Sequence, residues 1–257
     1  MLATQYIIEV KLKREAVPSF EAYPFCLDAV RELDSLPLHP AVTFFIGENG
    51  SGKSTLLEAI AVAAGFNPEG GSKNFRFGTY ASHSVLHEHI RLSRGSQRPR
   101  DGYFLRAESF FNVATEIERL DAERAAFSLP PVIDSYGGRS LHGQSHGESF
   151  WALLLNRFGG QGLYILDEPE AALAPTRQMA LLSRMHELVE QRSQFIIATH
   201  SPIIMAYPNA QIFQLGPKGA VPVAYEETEH FRTTRDFLNN YRRSLEVLLD
   251  GWSAGRP

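Results

Sequence analysis

The stretch GENGSGKST, residues 47–55, lies between two segments of opposite character. Before it, Val42, Thr43, Phe44, Phe45 and Ile46 are β-branched or aromatic, a run that predicts a buried strand. After it, Leu56-Leu57-Glu58-Ala59-Ile60-Ala61-Val62 predicts a helix. Strand, glycine-rich turn and helix in that order form a cradle for a phosphate group. Glycines let the backbone wrap closely around an anion and turn its N–H groups inward, and the helix adds its positive dipole end at the same spot.

Gly47 to Ser54 fit the pattern G-x-x-x-x-G-K-[ST]. The nucleotide-binding candidates are therefore Gly47, Glu48, Asn49, Gly50, Ser51, Gly52, Lys53, Ser54 and Thr55. Lys53 is expected to reach the β- and γ-phosphates, and the Ser54 hydroxyl to ligate Mg²⁺. A Gly/Ser-rich turn alone would mean little; the strand before it and the helix after it make the reading specific.

Composition sets wide bounds. The chain has 257 residues, 44% hydrophobic and 21% charged, a globular balance with enough length for a sizeable core. Cys26 is the one cysteine, so no internal disulfide is expected and a reducing cytoplasm is the expected compartment. No apolar run is long enough to span a bilayer, and Met1 to Val10 does not resemble a secretory signal. A net charge of −4 gives no global bias toward nucleic acid.

Along the chain, strands are expected at Gln5–Leu12, Val42–Ile46, Tyr103–Leu105, Leu163–Leu166 and Gln194–Thr199. Ala210–Leu215 and Val221–Tyr225 read as a closing hairpin. Helices are expected over Lys53–Ala64, over the stripe Phe110, Val113, Ala114, Ile117 and Leu120, and around Phe150, Trp151, Leu154 and Phe158. Another spans Pro175–Gln191, and Phe237, Tyr241, Leu245 and Leu248 stripe one final helix. Residues 65–102, with the run RLSRGSQRPRDG, read as an irregular insertion carrying a mobile loop. The expectation is one α/β domain over residues 1–257, a mostly parallel sheet flanked by helices.

A second anchor is LYILDEPE, residues 163–170. The strand delivers Asp167 and Glu168 at its carboxyl end, where ligands of open α/β sheets sit. Asp167 is expected to hold Mg²⁺ and Glu168 to act as the general base on an attacking water. Two further motifs flank it: QSHGESF at 144–150 and FIIATHSP at 195–202.

In order and spacing, these four motifs resemble the ATP-binding cassette (ABC-type) ATPases, over about residues 40–205. The resemblance implies a P-loop fold with an antiparallel N-terminal strand layer, and ATP and Mg²⁺ as cofactors. It gives Ser145, His146, Gly147 and Glu148, in the signature-helix region 129–158, the role of the signature. Ala171 to Ala174 become the dimer-contact loop, and His200 the switch histidine beside the γ-phosphate. It also implies a homodimer with two ATP molecules at its interface, each signature meeting the nucleotide of the opposite subunit. The sequence departs from the family pattern at Gln144, His146 and Ala174. Glu108 stands where the family's loop glutamine is expected and is a further Mg²⁺ candidate; Tyr23 and Phe25 are candidates to stack on adenine.

Glu148, the run Pro169-Glu170-Ala171-Ala172 and the THSP around His200 resemble the non-transporter branch. That branch comprises the SMC/RecF-like and overcoming-lysogenization-like ATPases and their small stand-alone bacterial relatives. The stretch between Lys53 and Ser145 holds no sustained heptad pattern, so no coiled-coil arm is expected. The expected output is work on a separate effector, DNA-related or defence-related; the alternatives are a transporter's ATP-binding subunit or a slow regulatory switch. Arg91, Arg94, Arg98 and Arg100, and Arg232, Arg235, Arg242 and Arg243, are the candidates for DNA contact. His83, His87, Glu88 and His89 cluster, but at no established zinc spacing.

Overall fold

The computed structural model describes residues 5–73 and 84–249. Among these residues, nine strands fall into two sheets: β1 Ile7–Leu12, β2 Ser35–Pro37, β3 Val42–Ile46, β4 Ile90–Arg94, β5 Asp101–Arg106, β6 Gly162–Asp167, β7 Gln194–Ala198, β8 Gln211–Gly216 and β9 Gly219–Pro222. The larger sheet runs β5-β6-β7-β3-β8-β9, parallel except for the β8–β9 hairpin at its edge. Strands β3, β6 and β7 are buried at every position, which is why they read as continuous apolar runs rather than alternating ones. The smaller sheet, β2-β1-β4, is antiparallel throughout.

The described residues also form eight helices: α1 Asp28–Arg31, α2 Lys53–Ala64, α3 Leu86–His89, α4 Phe110–Ala125, α5 His146–Asn156, α6 Pro175–Glu190, α7 Glu229–Asn239 and α8 Tyr241–Leu248. Two cores lie on the two faces of the central sheet. Helices α4, α5 and α6 bury Phe110, Ile117, Phe150, Leu154 and Met185 against Tyr103, Tyr164 and Phe195. On the other face α2 buries Leu56, Leu57 and Ile60 between the central sheet and the small sheet's Ile7, Val10 and Leu36. Gln194, at the start of β7, joins the sheets: its Oε1 accepts from the backbone N–H of Tyr6 and Ile7, and its Nε2 donates to the carbonyls of Ile7 and His39. A buried amide with all these bonds made is stabilising, whereas an unsatisfied one would cost about 1–3 kcal/mol.

Two expectations differ from the structure. Within the stretch read as irregular, Ile90–Arg94 is a strand that pairs with β1 from Ile7 to Leu12, and Gly71 bridges Phe104. Residues 74–83, where a mobile loop was expected, lie outside the described residues. The single final helix is two, α7 and α8, because Asn240 leaves helical geometry at φ −132° and ψ 29°. Its Nδ2 donates to the Asp236 carbonyl at 3.4 Å, a local bond of the kind that lets asparagine end helices. Among the described residues, no helix is long and apolar enough to cross a membrane.

Candidate functional site

The glycine-rich loop leaves β3 and enters α2 at the carboxyl edge of the central sheet. Gly47, Gly50 and Gly52 take positive φ, at 147°, 81° and 93°, where side-chain-bearing residues are strained. A Cβ on Gly47 would also stand 2.6 Å from the Leu215 carbonyl oxygen. Lys53 is buried, and its Nζ donates to the carbonyls of Gly47 and Glu48 at 3.0 Å each. Burial pushes this lysine's pKa down, while Glu168, Asp167 and Glu170 act the other way. Ser51 Oγ is buried inside the loop with no hydrogen-bond partner among the described residues. A loop with inward glycines, a buried cation and an orphaned hydroxyl fits an anionic ligand.

Asp167 ends β6 beside this loop, and Ser54 Oγ donates to its Oδ1 at 3.0 Å. Burial raises the Asp167 pKa to about 6 against the pull of Arg106, whose Nε lies 3.9 Å away, and of Ser54. Two adjoining oxygen donors, one a buried carboxylate, fit a hard divalent cation that takes its other ligands from phosphate and water.

Glu168 follows with φ 49° and ψ 54°, a left-handed conformation that costs a non-glycine residue on the order of 1–3 kcal/mol. Its backbone is held by the bond from its N–H to the Ala198 carbonyl and by the Ala171 N–H donating to its own carbonyl. The half-exposed side chain reaches within 3.7 Å of His200 Nε2. His200 is fixed from below: its N–H donates to Glu170 Oε1 at 2.5 Å, and the Thr199 hydroxyl donates to Glu170 Oε2 at 2.8 Å. Burial lowers the His200 pKa and Lys53 adds to that, with Glu168 opposing.

Ser145 caps α5 with a capping box. Its backbone N–H and hydroxyl both donate to the Glu148 carboxylate, at 3.0 and 2.6 Å, which holds the Glu148 pKa low. A Cβ on Gly147 would stand 2.9 Å from the Ala172 carbonyl oxygen, so α5 packs closely on the 3₁₀ turn Pro169–Ala172. His146 lies edge-on to Phe110.

A cleft of about 970 Å³ adjoins the loop, lined by Gly47, Gly50, Ser51, His200, Leu27 and Pro217, among others, and on one side by α7. That volume falls within the range of small-molecule sites. Of the adenine candidates, Phe25 is corrected: it is buried in the core with its ring edge-on to His89, because the small sheet and α1 close over it. Tyr23 is exposed, and its hydroxyl pairs with Thr55 Oγ1 at 3.2 Å. Glu108 is exposed and faces Arg106 at 3.7 Å. Of the histidine cluster, His83 lies outside the described residues, and among those described no three His, Cys, Asp or Glu side chains converge on a metal position. The candidate DNA-contact arginines are exposed.

An AAA domain family matches residues 22–120, which contain the loop and Glu108. A second, described as "AAA domain, putative AbiEii toxin, Type IV TA system", matches residues 132–206, which contain Ser145, Asp167, Glu168 and His200. Neither match spans half of the chain; together they make it similar to AAA-domain families over the two segments that hold the glycine-rich loop and the acidic pair. Solved structures similar to this chain include the SMC head domain from Thermotoga maritima, at 15% identity and a TM-score of 0.42, covering 85% of this chain and 98% of that one. Another is the SmcHead bound to the C-winged helix domain of ScpA, at 13% identity and 0.40, with 74% and 92% covered. A third is cbiO1 from Clostridium perfringens, part of the ABC transporter complex cbiONQ, at 17% and 0.47, with 95% and 99% covered.

Two residues at the site were not among the sequence candidates. Arg106, at the end of β5, bonds Glu58 Oε2 at 2.5 Å while lying beside Asp167; its only signal was a position two residues before Glu108. His230 of α7 faces His200; it opens the stretch HFRTTRDFLNN, 230–240, which resembles the small stand-alone ATPases, but that resemblance gave the histidine no role.

Proposed function

We propose that this chain binds ATP with Mg²⁺ at Gly47–Thr55 and hydrolyses it, two copies closing face to face over two nucleotides. The observation that carries this is the meeting of three motifs at one sheet edge: Ser54 on Asp167 at 3.0 Å, and Glu168 within 3.7 Å of His200. Lys53 exchanges its bonds to the Gly47 and Glu48 carbonyls for the phosphates, and Ser51 Oγ gains an acceptor. Ser54 and Asp167 would hold Mg²⁺, which when bound neutralises phosphate charge. Glu168 takes a proton from the attacking water, and His200 holds that water and the γ-phosphate in line. The branch is the non-transporter one, and the output is transmitted to a separate effector, with DNA a candidate ligand of the exposed arginines.

The signature acts on the opposite subunit's nucleotide, because the loop of its own subunit already supplies one set of phosphate donors. Ser145 must then release Glu148, to which both its donors are bonded. Ser145→Arg is expected to leave ATP binding by the monomer intact while abolishing ATP-induced dimers and turnover. Light scattering and phosphate release check this. ATP-induced dimers of the variant that turn over at the parent rate would refute the role across the interface.

A further inference from the structure

His230, in the first turn of α7, lies outside the four motifs that carry the site and places Nε2 3.1 Å from Nδ1 of His200. The ring centroids are 5.3 Å apart. Its helix is tied to the segment that follows His200. The Phe231 N–H donates to Thr228 Oγ1, the cap; the Thr228 hydroxyl donates to the Tyr225 carbonyl, and the Tyr225 hydroxyl to the Pro202 carbonyl. Glu229, His230, Thr233 and Thr234 line the same cleft as Gly47 to Ser51 and His200.

Two neutral imidazoles in contact share one proton, so one ring nitrogen donates and the other accepts. If His200 donated from Nδ1, its Nε2 would present a bare lone pair to the Glu168 carboxylate 3.7 Å away, a repulsive arrangement. If His230 donates from Nε2, His200 keeps its proton on Nε2, facing that carboxylate. Neither Nε2 of His200 nor Nδ1 of His230 has a hydrogen-bond partner among the described residues, so the Glu168 carboxylate decides which ring donates and the bond from His230 holds His200 in that tautomer. The charged groups acting on the pair are Lys53, Glu168, Glu170 and Glu229, and burial holds both rings toward the neutral form.

We propose that His230 is a positioning residue that donates Nε2–H to Nδ1 of His200, fixing the tautomer whose Nε2–H faces Glu168 and the phosphate end of the cleft. This rests on the ATP-hydrolysis reading, and it makes α7 part of the nucleotide site.

Nitrogen-15 histidine spectra of the full chain report the tautomers directly: both rings are expected to carry the proton on Nε2, and both on Nδ1 would overturn the proposal. In kinetics, His230→Ala is expected to lower kcat about 10- to 100-fold with KM for ATP within about twofold, the scale of losing a ring-orienting partner. His230→Gln, whose amide can donate to the same atom, should recover most of that loss. In a His200→Ala background, His230→Ala should cost nothing further. Equal losses in the Ala and Gln variants, or a further loss in that background, would overturn the proposal. A His200→Ala protein that turns over like the parent would instead strike the hydrolysis reading, and the spectra alone would then decide the His230 assignment.

Discussion

Glu168→Gln is expected to slow steady-state ATP hydrolysis by ~10²- to 10⁴-fold, the usual contribution of a general base, with ATP affinity preserved. Glutamine keeps the size and hydrogen-bonding capacity of the side chain and removes only its ability to take a proton. The left-handed backbone at this position imposes the same strain on both residues, and the bonds to Ala198 and Ala171 that hold it are main-chain. Glu170, which anchors Thr199 and His200, is untouched. Uncleaved ATP should then keep two protomers together, so the variant should elute as a nucleotide-loaded dimer. A variant that turns over at the parent rate and stays monomeric with ATP would remove both the base assignment and the nucleotide-sandwich mechanism.

Lys53→Ala is expected to remove most ATP binding. Saturating the parent at ~100 times the dissociation constant should add ~2.7 kcal/mol to the folded state, read as a rise in Tm with ATP and Mg²⁺; the variant should show no rise. The cause is local. Nζ is the buried cation of the loop, held 3.0 Å from the Gly47 and Glu48 carbonyls and surrounded by the charges of Asp167, Glu168 and Glu170. Truncation removes that charge and leaves the incoming phosphates facing the carboxylates, with Arg106 the remaining cation beside Asp167. Circular dichroism of the nucleotide-free variant separates loss of binding from loss of fold. A folded variant whose Tm rises with ATP as the parent's does would sink the phosphate-loop assignment.

The elements legible in the sequence were those whose signal is local. β3, β6 and β7 announce themselves as short apolar runs because both faces of the sheet are covered, and the positive-φ glycines of the loop follow directly from its composition. β4 was not legible: Ile90–Arg94 buries only Ile90 fully, its polar positions read as loop, and it becomes a strand through pairing with β1, far away in sequence. The break at Asn240 was hidden because Phe237, Tyr241, Leu245 and Leu248 keep helical spacing across it. Phe25 looked like an adenine platform because an aromatic residue carries no mark of which side of the chain the core will take. His230 and Arg106 reach the site through tertiary packing, from α7 and from the end of β5, so no motif spacing could reveal them.

The central claim is a composite site, the loop of one copy completed by the signature of another. Mixing Lys53→Ala protein with Ser145→Arg protein tests it most directly, because one of the two sites in the mixed dimer then carries neither lesion. Each variant alone should release no phosphate above background, and the mixture should regain measurable turnover. A mixture as inactive as its components, with mixed dimers demonstrably formed, would contradict the claim, as would full activity of Ser145→Arg by itself.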